Sequence, residues 1–89
     1  MSWTIKVSSN AEKYHNKLDK KLKQRIKEAL VNLSKYEKPL EHPHVTDLTG
    51  DLKDFYRLRV GDYRIIFGLI KESKIIAVVN IFPRGDAYR

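Results

Sequence analysis

The chain has 89 residues, of which 18 are Lys or Arg and 11 are Asp or Glu, giving a formal charge of +7, and it has no cysteine. One small domain is expected at this length, burying roughly 60–65% of its unfolded surface. The 42% hydrophobic and 33% charged shares exclude wholesale disorder, and the absent cysteines exclude disulfides, thiolate zinc sites and thiol nucleophiles.

Met1 to Lys6 carries no apolar signal region, and the apolar runs at Ile65–Ile70 and Ile75–Val79 fall far short of the ~20 residues that span a bilayer. A cytoplasmic protein is therefore expected, and no membrane partner, because the aliphatics of the lysine-rich segment Lys20 to Leu33 are few, medium-sized and needed by the core. The positive excess raises the local concentration of polyanions, and on charge alone nucleic acid, an anionic membrane and an acidic protein are all open as partners.

Trp3, Ile5 and Val7 alternate with Thr4 and Lys6, which predicts a short first strand. Ser9 to Glu12 has the form of a capping box, with Ser9 as N-cap of a first helix. Ala11, Tyr14 and Leu18 follow at helical spacing. Asp19 is the expected N-cap of a second helix whose apolar stripe is Leu22, Ile26, Leu30 and Leu33. That helix should stop before Pro39, and the two helices form a hairpin. Glu37 to Asp54 reads as a connecting loop, rich in Pro, Gly and polar residues. Three strands follow, over Phe55 to Val60, Tyr63 to Lys71 and Ile75 to Phe82. Their turns are Gly61-Asp62, of the type with Gly first, and Glu72-Ser73-Lys74. The expected fold is α+β in the order β-α-α-β-β-β, with helices on one face of a mainly antiparallel sheet.

A two-residue turn at Gly61-Asp62 puts Val60 opposite Tyr63, Arg59 opposite Arg64, Leu58 opposite Ile65 and Arg57 opposite Ile66. Tyr56, Leu58, Val60, Tyr63, Ile65 and Phe67 then share the helix side, and Arg57, Arg59 and Arg64 share the other. Like charges directly opposed on a sheet destabilise it, by an amount comparable to the ~0.2–1 kcal/mol of a favourable pair. A three-residue second turn pairs Arg64 with Phe82 and brings Arg84 to the same face, and Tyr88 could fold back over it. Guanidinium is permanently charged and its planar fork matches phosphate oxygens. On spacing alone, a solvated sheet face and an anion grip are both consistent with these arginines.

The segment Arg57-Leu58-Arg59-Val60-Gly61-Asp62-Tyr63-Arg64-Ile65-Ile66-Phe67 resembles the RelE/ParE superfamily of toxins from toxin–antitoxin systems. The ending Pro83-Arg84-Gly85-Asp86-Ala87-Tyr88 and the upstream Leu48-Thr49-Gly50 extend the likeness over essentially the whole chain. The resemblance implies a RelE-like branch: a small, metal-independent ribonuclease that cuts mRNA in the ribosomal A site. ParE-type relatives share the fold, poison DNA gyrase, and generally lack the basic-plus-tyrosine set; the alternative reading is such a gyrase inhibitor, or a non-catalytic member that only binds its antitoxin. Arg57, Arg59, Arg64, Arg84 and Tyr88 occupy the RelE-like positions.

The implied reaction is attack of a 2′-oxygen on the adjacent phosphate, leaving a cyclic 2′,3′ end. Arg64 and Arg84 would hold the phosphate, and Tyr88 would stack on a base or exchange a proton. Many RelE relatives carry lysine where Arg57 and Arg59 stand, and arginine cannot act as a base. Tyr88 is the one motif residue left for that role. A RelB-like antitoxin, the ribosome with its mRNA and ribosomal RNA, and DNA only through the antitoxin complex are the implied partners.

Lys20, Lys21, Lys23 and Lys27, with Lys53, are candidates for salt-dependent contacts to RNA phosphates, against a simple solvated helix face. No metal or cofactor is expected. His42-Pro43-His44 lacks a carboxylate cluster and reads as a loop with two solvent-facing histidines. Asp47, Asp51 and Asp54 lack a regular calcium loop. His15 is expected to be half-exposed, and Trp3 and Tyr36 to pack.

Overall fold

The computed structural model describes residues 3–48, 50 and 54–83. Strand β1 (Thr4–Val7) leads into helices α1 (Ser9–Asn16) and α2 (Lys20–Ser34), which form the expected hairpin. A 3-10 turn at Pro39–Glu41 and a short strand β2 (Val45–Asp47) come next, followed by β3 (Phe55–Val60), β4 (Tyr63–Ile70) and β5 (Ile75–Pro83). The sheet order is β1-β5-β4-β3-β2, with β1 parallel to β5 and every other pair antiparallel. The α+β class with helices on one face is as the sequence predicts.

One layer of apolar side chains joins helices to sheet. Ile26, Leu30 and Leu33 of α2 pack with Leu58, Ile65, Phe67, Ile76, Val78 and Ile81, and Trp3 and Tyr14 close over the rim. Trp3 also donates its indole N–H to the carbonyl of Glu37 at 3.1 Å, tying the first strand to the end of the helical layer. Asp19 caps α2 as expected, its carboxylate accepting the Leu22 N–H at 2.9 Å.

Three expectations need correction. The N-cap of α1 is Ser8, not Ser9: Ser8 has extended backbone, and its hydroxyl accepts the Ala11 N–H. Glu12 thus lies one position past the place a capping box requires. Second, Glu37 to Asp54 is not all loop, since Val45–Asp47 pairs with β3 as an edge strand, Val45 opposite Leu58. Five strands replace the four expected.

Third, the turn after β4 spans the four residues 71–74 rather than three, with Lys74 at φ +53°. A four-residue turn alone would bring Ile81 opposite Arg64 and send Phe82 into the core. A bulge at Val79 restores the parity: Phe67 pairs with Val78, Ile66 with Asn80, and Arg64 with Phe82. Ile81 is consequently 4% exposed and packs with the core.

The bulge also explains the helix start. Ser8 donates its hydroxyl proton to the Val79 carbonyl at 3.0 Å while accepting from Ala11, and its own N–H reaches the Val78 carbonyl. One hydroxyl satisfies a helix donor and a carbonyl at the irregular point of the ladder. Ser8→Ala should therefore cost about 1–2 kcal/mol, seen as a lowered midpoint in thermal or urea unfolding. Ser9→Ala, at an exposed first-turn position, should stay within about 0.5 kcal/mol. Equal effects of the two substitutions would contradict the cap assignment.

Candidate functional site

The β3–β4 hairpin has the register derived from its turn: Val60 opposite Tyr63, Arg59 opposite Arg64, Leu58 opposite Ile65, Arg57 opposite Ile66. Gly61 sits at φ +56°, and Asp62 stays out of the left-handed region, as a turn with Gly first demands. Leu58 and Ile65, at 1% and 0% exposure, point into the helical layer, so alternation turns Arg57, Arg59 and Arg64 to the opposite face.

Directly opposed residues place their Cβ atoms about 4.5–5.5 Å apart and diagonal ones about 7–8 Å. Arg64 is opposite Arg59 and diagonal to Arg57. Arg59 is exposed, and Arg57 and Arg64 are half-buried. Among the described residues, no ion pair joins Arg57 or Arg59 to a carboxylate. The three arginines, with Gly61, Asp62 and Tyr63, enclose a pocket of about 180 Å³. Small-molecule sites usually span about 300–1,000 Å³, so this one has the size for a phosphate group and not for a nucleotide. Farther along the arginine face the sheet is apolar: Ile66 is 2% exposed, and Phe55 lies against Gly68.

The other predicted site residues are dispersed. Lys53, Arg84 and Tyr88 lie outside the described residues. Lys20, Lys21, Lys23 and Lys27 ride on α2, which packs against the face opposite the arginines. Lys20, Lys21 and Lys27 are exposed, Lys23 is half-buried, and Lys27 borders a groove beside Ile5 and Val7 at the β1 edge. They do not join the arginine pocket.

The histidines depart from expectation. His15 is half-buried as foreseen, with Nε2 3.3 Å from the Lys23 carbonyl. His42, expected to face solvent, is instead held between α2 and the backbone ahead of β2. Its Nδ1 accepts the His44 N–H at 3.0 Å, and its Nε2 lies 3.2 Å from Asn32 Oδ1. These partners suit a neutral ring protonated at Nε2, which donates to Asn32. Tyr36 and His44 flank it, with ring centroids 5.0 and 5.6 Å away. The spacing of Asn32 on its helix and of His42 in its loop carries no sign of this meeting, because only tertiary packing makes it. Among the described residues no third His, Asp or Glu joins the two histidines in a metal-ligand group.

A helical hairpin on one face of a five-stranded, mostly antiparallel sheet is the fold of the RelE/ParE class of toxins. The sequence model of the ParE toxin of type II toxin–antitoxin systems (parDE) matches residues 2–88, and the chain belongs to that family. A RelE-like toxin protein of Escherichia coli is 33% identical over 94 residues, which cover 99% of this chain and 92% of that protein. The archaeal RelE–RelB complex of Pyrococcus horikoshii OT3 contains a chain 32% identical, with a TM-score of 0.75 and coverage of 98% and 100%. The RelBE2 toxin–antitoxin complex of Mycobacterium tuberculosis shares the fold at a TM-score of 0.80 and 19% identity, covering 94% of this chain and 100% of that one. The protein is thus a RelE-like toxin of a type II toxin–antitoxin module, as its hairpin motif implies. No helix among the described residues is long and apolar enough to cross a membrane.

Burial, and secondarily the neighbouring His44, lower the pKa of His42 from its ordinary 6.5. As pH falls through that value the unfolded imidazole takes up a proton before the folded one does. The contribution of neutral His42 to stability is therefore complete above pH 6.5 and declines as acid is added. Thermal midpoints should fall between about pH 7 and pH 5, and His42→Leu should flatten that slope. The same slope in both proteins would exclude His42 as its source.

Proposed function

We propose that the chain is a ribosome-dependent, metal-independent endoribonuclease that cuts mRNA in the A site and so inhibits translation in the cytoplasm. The observation that carries this is the enforced opposition of Arg59 and Arg64, with Arg57 on the diagonal, around a pocket of phosphate size. Such a cluster offers donors aimed at the non-bridging oxygens of a phosphodiester, where charge accumulates as a fifth oxygen bonds to phosphorus. RNA brings its own nucleophile, the 2′-hydroxyl, so the protein need supply only charge stabilisation, alignment and proton transfer.

Arg57, Arg59 and Arg64 would grip the phosphate, with Arg84 completing the grip. Arginine does not give up its proton, so none of the four serves as base, and Tyr88 is the motif residue assigned to proton exchange. Isolated RNA should be a poor substrate, because a phosphate-sized pocket has little surface with which to orient a chain. The ribosome would hold the mRNA and supply that positioning. Lys20, Lys21, Lys23 and Lys27 on α2, together with Lys53, would add long-range attraction to ribosomal RNA, which needs no fixed geometry.

The toxin role implies a cognate antitoxin, and the solved relatives from P. horikoshii and M. tuberculosis are toxin–antitoxin complexes. For this chain the partner should be RelB-like, with an amphipathic helix for apolar surface and acidic residues that answer the +7 charge. DNA would be approached only through that complex.

The ParE designation of the matching family gives one specific reason to weigh gyrase inhibition as the second reading. The deciding experiment adds the protein to a programmed ribosome, maps mRNA ends by primer extension, and assays gyrase supercoiling in parallel. Codon-phased cuts with normal supercoiling are expected. Arg64→Ala should lower the cleavage rate about 10²–10³-fold, the usual cost of removing one donor to a developing oxyanion. Tyr88→Phe should lower it as well, and full activity there would remove the tyrosine from proton transfer. Intact mRNA with trapped gyrase would overturn the nuclease reading.

A further inference from the structure

Beyond the arginine pocket, around the tip of the β3–β4 hairpin, lies a second cleft of about 720 Å³. Arg25, Glu28 and Asn32 of α2 form one wall, and His42 and His44 line the cleft with them. Arg59 and Gly61 border both this cleft and the arginine pocket, so the two spaces adjoin at the turn. The Arg59 N–H donates to the His44 carbonyl at 3.1 Å, which fixes the histidine loop beside the arginine that links the two spaces.

Arg25 marks the junction. A Cβ placed on Gly61 would lie 2.9 Å from Arg25 Nη2, so the guanidinium rests directly on the turn and needs the glycine's bare backbone there. Arg64, Arg59 and Arg25 thus form a run of cations that leaves the sheet face, passes the hairpin tip and enters the cleft. A row of cations across adjoining spaces follows a backbone that carries one negative charge per unit. The rings of His42 and His44 (with Tyr36 behind them) offer flat faces in the same cleft. Stacking on such faces is how proteins hold unpaired bases.

We propose that this cleft is the subsite for the nucleotide next to the cleaved phosphate, with Arg25 on its phosphate, His44 against its base, and Glu28 and Asn32 at the base edge. The inference rests on the ribonuclease reading and assigns that reading a second, nucleotide-sized compartment. Glu28 distinguishes RNA from an acidic peptide as occupant. Its carboxylate, held by the Gln24 amide at 3.0 Å, would repel acidic side chains, whereas it can accept from the exocyclic amino group of a base. The compartment also has the volume that the arginine pocket lacks.

The full-length protein is titrated with a 2′-O-methylated single-stranded RNA octanucleotide while the imidazole signals of His42, His44 and His15 are followed by NMR. His42 and His44 should shift together, with His15 unmoved as internal reference. In the ribosome assay, Arg25→Met should raise KM about tenfold, the worth of one charge-assisted contact, with kcat nearly unchanged. Glu28→Gln and His44→Ala should redistribute cuts among codons while cleavage continues, and thermal melts of each variant report on folding. Unshifted histidines, together with wild-type KM and codon profile in all three variants, would overturn the subsite and leave the nuclease standing. Displacement of the two histidine signals by antitoxin but not by RNA would overturn it in favour of a protein partner. Failure of the wild-type protein to cut ribosomal mRNA would instead strike the ribonuclease reading itself, and with it the assignment of a substrate nucleotide.

Discussion

Arg59 faces Arg64 because neither can turn away without also turning out the neighbours that hold the sheet to its helices. Strand alternation couples Arg59 to Leu58 and Arg64 to Ile65, and both apolar residues are at most 1% exposed. Burying each is worth about 1.5–3 kcal/mol, while opposing two like charges on a solvated face costs only about 0.2–1 kcal/mol. The burial wins. The opposition of Arg59 and Arg64 is therefore a standing feature of the folded state, and it would draw an anion to the guanidiniums.

That balance is also why the hairpin register could be read from the residues. Gly61-Asp62 specifies a two-residue turn, and a slip of one position would expose Leu58, Val60, Ile65 and Phe67 together. The bulge at Val79 has no comparable signal, since Ile75 to Pro83 is apolar enough to place either face inward. What selects it is tertiary: Ser8 meets the Val79 carbonyl, and Asn10 donates to Asn80 Oδ1 at 2.7 Å. The expected pairing of Arg64 with Phe82 was reached through a longer turn and a compensating extra residue, and not through the shorter turn. Strand β2 escaped for a related reason. Three residues carry too little alternation to stand out from a loop, and Val45 joins the sheet because β3 offers an open edge.

Arg25 and the two histidines were harder to find than the arginines of the hairpin. Within one hairpin, neighbours are set by turn length and alternation, so Arg57, Arg59 and Arg64 can be grouped from sequence. Arg25, Glu28 and Asn32 do follow helical spacing, which places them on one side of α2. Nothing in that spacing says that the side meets His42, or that Arg25 will lie on Gly61. Those contacts depend on where the core seats the helix, through Ile26, Leu30 and Leu33.

The two spaces around the hairpin divide the work in the proposed reaction according to their size. A pocket of about 180 Å³ lined by guanidiniums can hold a phosphate whatever base is attached, so it cannot choose a sequence. Selectivity must come from surfaces that touch a base, or from a partner that presents only certain nucleotides. In the proposed reaction the ribosome would supply the second by holding a codon in place. The cleft beside Arg25 would supply the first, and it shares Arg59 and Gly61 with the phosphate pocket. A substitution that moves the turn therefore disturbs grip and selection together. Gly61→Ala would be such a change, because it strains a backbone at φ +56° and displaces the Arg25 guanidinium in one step.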